Sequence, residues 1–349
     1  VTMSQSRSPA QAGFTLVEMM IAATLLGIMV MAVSTLSVSG MQAQEYARRL
    51  TRATEIAQDV VDGMRLELGS SVRLFGNDTE GNANLAVLDL AGAPARLAGS
   101  RLSTPDANGT VRQDTAANAI TGNSLMFAKL AWNDRFVGPA TGRQYMVDVY
   151  RWVHYYLTPE DGGPLAGRSI GLNLVRVVGE PLADAAAIDA IANATDRAAL
   201  LQHLRAGTPD ALGVQHSPCQ VVWRRGELPT VAGTLREINP VDGTLSNTPL
   251  VATGRPSPWR VLRTEVAPRG LLSYRHHSVA TVHAPINQRV SRFGLRSTLG
   301  MGFPHGFEVQ TVGPSSARQV LLHLAIASTN RSGHTAFADV QMIVDARDQ

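Results

Sequence analysis

From Met19 to Gln44 the chain carries no charged residue, and residues 16–38 are mostly Leu, Ile, Val, Met and Ala. About 20 apolar residues in a helix span the hydrocarbon core of a bilayer, so this run is long enough to cross a membrane. A secretory signal peptide has an apolar stretch of only about 7–15 residues before a small-residue cleavage site. The run is too long for that, although Ala32, Ser34, Ser37 and Ser39 could mimic such a site. The stronger competing reading is an ordinary single-pass anchor. Against it stands Glu18, an acid at the start of an otherwise uncharged span. Placing a carboxylate in a membrane helix costs about 2.5–3.5 kcal/mol on insertion scales, so such residues usually have a task. Flanking charge does not orient the span, because Arg7 precedes it and Arg48, Arg49 and Arg52 follow.

The helical signal continues past the apolar run. No proline occurs between Phe14 and Pro94. Tyr46, Leu50, Ala53, Ala57, Val60 and Met64 recur at spacings of three and four, an apolar stripe on one helix face. Glu45 with Arg49, and Arg52 with Glu55, stand at helix-compatible spacing for opposite charges. The pattern predicts a helix over 14–68, about 80 Å long at 1.5 Å per residue. Residues 14–40 form its membrane half and residues 41–68 the half that packs under a head; a juxtamembrane coiled coil is the alternative for the second half.

The residues Gly13-Phe14-Thr15-Leu16-Val17-Glu18, followed by the apolar run, resemble the processing motif of type IV prepilins and type II secretion pseudopilins. The resemblance implies a leader at 1–13, cleavage of the Gly13–Phe14 bond by a prepilin peptidase, and N-methylation of Phe14. It also implies that Glu18 of an incoming subunit pairs with the Phe14 amine of its neighbour. Many major pilins carry a proline in the middle of this helix; here Thr35 and its neighbours supply none, while Gly27 and Gly40 could loosen it. A second, looser resemblance is carried by Val153-His154-Tyr155-Tyr156-Leu157 and then Leu172-Asn173-Leu174-Val175-Arg176. A tyrosine-rich strand before an Arg-bearing one is similar to PilW-type minor pilins.

Beyond the helix, residues 69–349 read as a globular head. Residues 69–123 are rich in Gly, Asn, Asp, Ala and Ser and predict a long connection with one or two strands. Asn77, Asp78, Glu80, Asn82 and Asn84 gather oxygen ligands but lack the spacing of a calcium loop, so a solvated loop is the reading. Strands are expected near 124–130, 145–157, 170–178, 220–223, 259–264, 271–283, 306–312, 319–327 and 336–345. The last two should form a hairpin around Asn330-Arg331-Ser332-Gly333. The alanine-rich stretch 182–205 predicts one inserted helix. Helix first and strands after indicates an α+β fold, the long N-terminal helix lying on an antiparallel sheet.

The 31 basic and 28 acidic residues leave a formal charge of +3, too little to argue for nucleic acid. Lys129 is the only lysine, so 30 of the 31 basic residues are arginine. Cys219 is the only cysteine, which excludes an intrachain disulfide. His276, His277 and His283 are the one histidine cluster and read as surface residues rather than a metal site. Cys219, His203 and Asp210 make no recognisable nucleophile arrangement. Catalytic, metal and cofactor motifs are absent from the sequence. The reading is an assembly component rather than an enzyme: a minor pilin that initiates or caps a type IV pilus. The alternatives are a type II secretion pseudopilin and a membrane-anchored receptor or adhesin outside any filament. The resemblance implies other major and minor pilins, the prepilin peptidase and the assembly platform as partners, with inner-membrane lipid before assembly. It also implies an inner-membrane anchor with a periplasmic head, later carried to the cell surface in a filament.

Overall fold

The computed structural model describes residues 15–88, 94–107, 120–159, 172–229, 234–246, 264–266, 277–279, 306–329 and 335–348, with isolated positions 109, 111, 114 and 231. The chain divides into two compact units, Val1–Thr51 and Arg52–Gln349.

Helix α1 runs over Leu16–Gly69 as one element of 54 residues, within two residues of the expected ends. In the first unit its apolar side chains all face outward, from Leu16 to Met41. In the second unit Ala53, Ile56, Ala57, Val60, Val61, Met64 and Leu68 are buried against the sheet. Burying each of the larger of these contributes about 1.5–3 kcal/mol, so tertiary packing holds this half of the helix.

Among the described residues the sheet of the second unit has twelve strands. Strands β1 (Ser71–Phe75), β2 (Leu125–Val137) and β3 (Gln144–Pro159) follow one another antiparallel. The far edge of β3 is shared by β4 (Leu172–Gly179) and β5 (Leu182–Asp184). Strand β6 (Val221–Trp223) pairs with β5, and β7 (Leu235–Glu237) with β6. Strands β8 (Thr264–Val266) and β9 (His277–Val279) meet β4, and β9 continues to β11 (Arg318–Thr329). Flanking β11 are β10 (Phe307–Val312) and β12 (Thr335–Ala346). The β11–β12 register, Thr329 opposite Thr335, matches the expected hairpin. The β5–β6 pair is parallel, so the sheet is mixed where antiparallel pairing alone was expected.

Two local expectations are corrected. Residues 79–86 form a short helix, α2 (Thr79–Ala86), where a loop was expected. Asp78 caps it by accepting from Gly81 N–H, and Glu80 is held by Arg73 at 2.5 Å, so the oxygen-rich run is taken up in a cap and an ion pair. The stretch 182–205 is not one helix. It begins as β5, continues as α3 (Ala185–Asp189), breaks, and resumes as α4 (Ala194–Ala206). The break has a cause: Asp184 accepts from Ala186 N–H, and Asn193 accepts from Thr195 and Asp196 N–H, giving each helix its own N-cap. Gly207 ends α4 in the left-handed region at φ 62°. Of the expected strands near 259–264 and 271–283, only Thr264 and the short β9 fall among the described residues; His276 and His283 lie outside them.

Both faces of the central strands are covered. Phe75, Tyr150, Trp152 and Trp223 form an aromatic cluster, with edge-on ring contacts of 5.6–5.9 Å, and Leu85 of α2 joins it. A neighbouring core packs Leu200, Leu201 and Leu204 of α4 on Val147, Val149, Val222 and Cys219. Buried Asp196 of α4 ties in the β2–β3 turn by accepting from Ala140 N–H at 2.8 Å and from the hydroxyls of Thr141 and Tyr145.

In the β10–β12 layer, His323 sits between two carboxylates, with Nδ1 2.7 Å from Glu308 and Nε2 3.0 Å from Asp339. Burial alone would lower its pKa, but Asp339 and Glu308 outweigh it and raise it to about 9. A raised folded-state pKa means this contribution to stability is complete below the ordinary histidine value and is lost as pH rises through about 9. The urea midpoint should therefore fall between about pH 7 and about pH 10, and His323→Gln should flatten that slope. An unchanged slope in the variant would remove this role.

Candidate functional site

Two constellations carry function-bearing geometry. The first opens α1. Thr15 N–H and Thr15 Oγ1–H both donate to Glu18 Oε2 at 2.9 Å, and Glu18 N–H points back to Thr15 Oγ1 at 3.3 Å. This reciprocal arrangement is a capping box, in which a Thr and a Glu three residues later satisfy donors that a helix start leaves open. The Thr-x-x-Glu spacing was legible in the sequence as part of a processing motif, but its helix-capping role was not drawn from it. Glu18 thus holds its carboxylate on Thr15, at the very start of the span. Gly13 and Phe14 lie outside the described residues. Helix α1 is long and apolar enough to cross a membrane, and none of its apolar window is buried.

The second constellation lies near the other end of α1 and joins it to the head. Glu67 takes two hydrogen bonds from Arg176 of β4, Nη2 to Oε1 at 2.6 Å and Nε to Oε2 at 3.0 Å. Lys129 of β2 donates to Oε1 and the Tyr155 hydroxyl of β3 donates to Oε2. Tyr155 and Arg176 are direct cross-strand partners, so two adjacent strands present both groups on the face that meets the helix. Burial pushes the Glu67 pKa up, but the bonds from Arg176, Lys129 and Tyr155 prevail and hold it down at about 2. Burial, with the Glu67 charge beside it, raises the Tyr155 pKa. Sequence reasoning named the Tyr155 and Arg176 strands and the lone Lys129, but nothing local pointed to Glu67 as their common partner.

The remaining titratable groups are placed as structural members. His154 hydrogen-bonds Ser124 Oγ at 2.7 Å, yet it is wholly buried and burial lowers its pKa to about 3, leaving it neutral and out of reach of a substrate. His203 is not near Cys219 in any bonded sense. It bridges Asp134, 2.9 Å from Nε2, and Thr208 at the end of α4. Asp210 folds its own loop by accepting from Leu212 and Val214 N–H. The Cys219 thiol is buried and its pKa is pushed up to about 12. Among the described residues no group of three His, Cys, Asp or Glu is placed to hold a metal.

A long helix, apolar and outward-facing over its first half and buried on a mixed sheet over its second, defines an α+β protein built around a membrane-length N-terminal segment. The family model for the prokaryotic N-terminal methylation motif matches residues 8–34. The matched motif together with the apolar helix fits a type IV pilin-like protein. No curated protein and no solved structure matches the chain at a significant level. The motif supports a pilin-like or pseudopilin protein, a class that is structural, and with the single apolar helix it fits anchoring in the inner membrane. It implies processing by a prepilin peptidase and association with pilus components in general.

Proposed function

We propose that the chain is a minor pilin that helps initiate or cap a type IV pilus. The observation that carries this reading is the methylation motif at 8–34 running directly into a helix whose first turn is closed by Thr15 and Glu18. In this reading residues 1–13 are a leader and the prepilin peptidase cuts between Gly13 and Phe14. Phe14 is then N-methylated, residues 14–40 anchor the subunit, residues 41–68 carry the head, and residues 69–349 form it in the periplasm. The size of that head and the Tyr155–Arg176 strand pair, on the strands that resemble PilW-type minor pilins, favour a minor over a major subunit.

The chemistry of assembly follows from two charges. Cleavage frees an α-amine at Phe14 with a reference pKa of about 7.7–8.0, mostly protonated at neutral pH. A carboxylate in an apolar bundle is costly unless a cation or hydrogen-bond donors accompany it. Before assembly, Thr15 supplies the donors to Glu18. In the filament, the Phe14 amine of a neighbouring subunit supplies the cation, which recruits the incoming subunit and sets its height. The partners are other major and minor pilins and the assembly platform.

The test is the mass of the N-terminal peptide of the protein extracted from its native membrane, with and without the prepilin peptidase. The expected result is a peptide beginning at N-methylated Phe14 that disappears without the enzyme. An intact N-terminus, or a cut near Ser39, would overturn the reading.

A further inference from the structure

Strand β12 pairs with β11 without a break in register, from Thr335 opposite Thr329 to Ala346 opposite Arg318. Alternate residues of a strand turn their N–H and C=O groups to opposite edges. Ala325 N–H of β11 donates to Gly306 O beside β10, so the odd-numbered residues of β11 face β10 and the even-numbered ones face β12. The even-numbered residues of β12 stand opposite these and bond to them, and the odd-numbered ones turn outward. Arg347 agrees: its N–H donates to Ser71 Oγ at 3.1 Å and its carbonyl accepts from the same hydroxyl at 3.0 Å, toward β1 rather than β11. Phe337, Gln341, Ile343 and Asp345 therefore direct their N–H and C=O groups to the outer edge. Among the described residues no strand pairs with that edge.

Natural sheets blunt such edges with short strands, bulges, proline or lysine. Among the described residues the other strands paired on one side only are short: β7 and β8 have 3 residues and β1 has 5. The outer side of β10 is covered by bridges from Asp106 to Val312 and from Gly122 to Val309. Strand β12 has 12 residues, no bulge, no proline and no basic residue, and Ile343 near its middle is 62% exposed. We infer that β12 receives an extended segment of another polypeptide chain as an added antiparallel strand. A row of outward N–H and C=O groups is matched only by a second strand, which fixes the kind of partner. The side chains fix its chemistry. Exposed Asp339 and Asp345 flank Gln341 and Ile343 on one face, while half-buried Val340 and Met342 lie on the other. The segment that fits carries a basic residue opposite each aspartate, an apolar one opposite Ile343, and apolar residues at the alternate positions. Asp339 already meets His323, and Asp345 accepts from Gln319 at 3.1 Å; a carboxylate can accept further donors, so a partner's cations add to these contacts. The inference concerns the head alone and does not depend on the filament reading.

The experiment measures binding of a fluorescent peptide, Arg-Val-Leu-Val-Thr-Val-Arg, to the full-length protein in detergent by fluorescence polarisation. Laid antiparallel from Asp345 to Asp339, its Leu and Thr amides face β12 and its Val amides face away. Two isomers differ only in where two N-methyl groups sit. Methylation on two Val residues spares the donors that meet β12; methylation on Leu and Thr removes them. The expected result is binding of the first isomer, with the second at least about tenfold weaker. Ile343→Pro removes one outward N–H at an edge position where proline is tolerated, so it should weaken the first isomer about tenfold at an unchanged urea midpoint. Asp345→Arg should weaken it as well, and a peptide with Glu in place of its first Arg should recover binding to that variant; this pair decides if Ile343→Pro lowers the midpoint. Equal binding of the two isomers, no binding of the first up to about 1 mM, or full binding by folded Ile343→Pro would each overturn the added strand. Self-association that Ile343→Pro abolishes, without peptide binding, would assign the edge to a second copy and overturn this partner.

Discussion

Glu18→Ala is expected to leave the protein in the membrane and cut at Phe14 while reducing its recovery in sheared filaments by tenfold or more (a difference of about 1.4 kcal/mol per decade). The two halves of that result have separate origins. Removing a carboxylate from an apolar span makes insertion easier by about 2.5–3.5 kcal/mol, so anchoring does not suffer. Losing the cap on α1 costs about 1 kcal/mol in a helix that the bilayer already favours, too little to unfold it. In the proposed assembly, what disappears is the anion that meets the neighbour's amine. Glu18→Gln separates capping from charge, because its amide oxygen still accepts from Thr15 yet carries no charge. Wild-type recovery of Glu18→Gln in filaments would reduce Glu18 to a helix cap.

The second large effect is expected at Glu67. Replacing it by Gln leaves Lys129 and Arg176 facing each other without their shared anion, and Tyr155 without its charged acceptor. Breaking a buried pair by removing one partner costs about 3–5 kcal/mol; both cations here retain some solvent contact, so about 2–3 kcal/mol is expected. The depressed pKa also sets a pH dependence. The stability Glu67 contributes is complete above the ordinary glutamate value and is lost as pH falls from about 4.5 toward about 2. Urea unfolding of detergent-solubilised protein at pH 7 and at acid pH reads both effects. A Glu67→Gln midpoint equal to wild type at pH 7, or an unchanged acid slope, would sink the assignment.

How much of this was legible in the sequence depended on distance along the chain. Helix α1 was legible nearly to the residue because its signals are local: an uncharged run, a stripe at spacing three and four, and no proline before Pro94. Strands β3, β11 and β12 were legible by alternation and a clear hairpin turn. The Glu67 site was not, since its partners stand 62, 88 and 109 residues away and each is unremarkable among its own neighbours. The failure at 182–205 was of another kind. Alanine favours helix throughout, which concealed Asp184 and Asn193 as two separate caps and hid the three residues that join the sheet beside β3. Helix α2 was missed because its Gly and Asn residues read as loop, while Asp78 was in fact its cap.

The buried thiol of Cys219 has a consequence for how the head matures. A single cysteine leaves no intrachain partner for a disulfide, and once the head has closed, burial keeps the thiol protonated with its pKa pushed up to about 12. On the proposed periplasmic placement of the head, passage into an oxidising compartment therefore adds no intrachain covalent checkpoint. The head is finished when its non-covalent contacts close, on a schedule independent of thiol oxidases and indifferent to the reducing history of the cell.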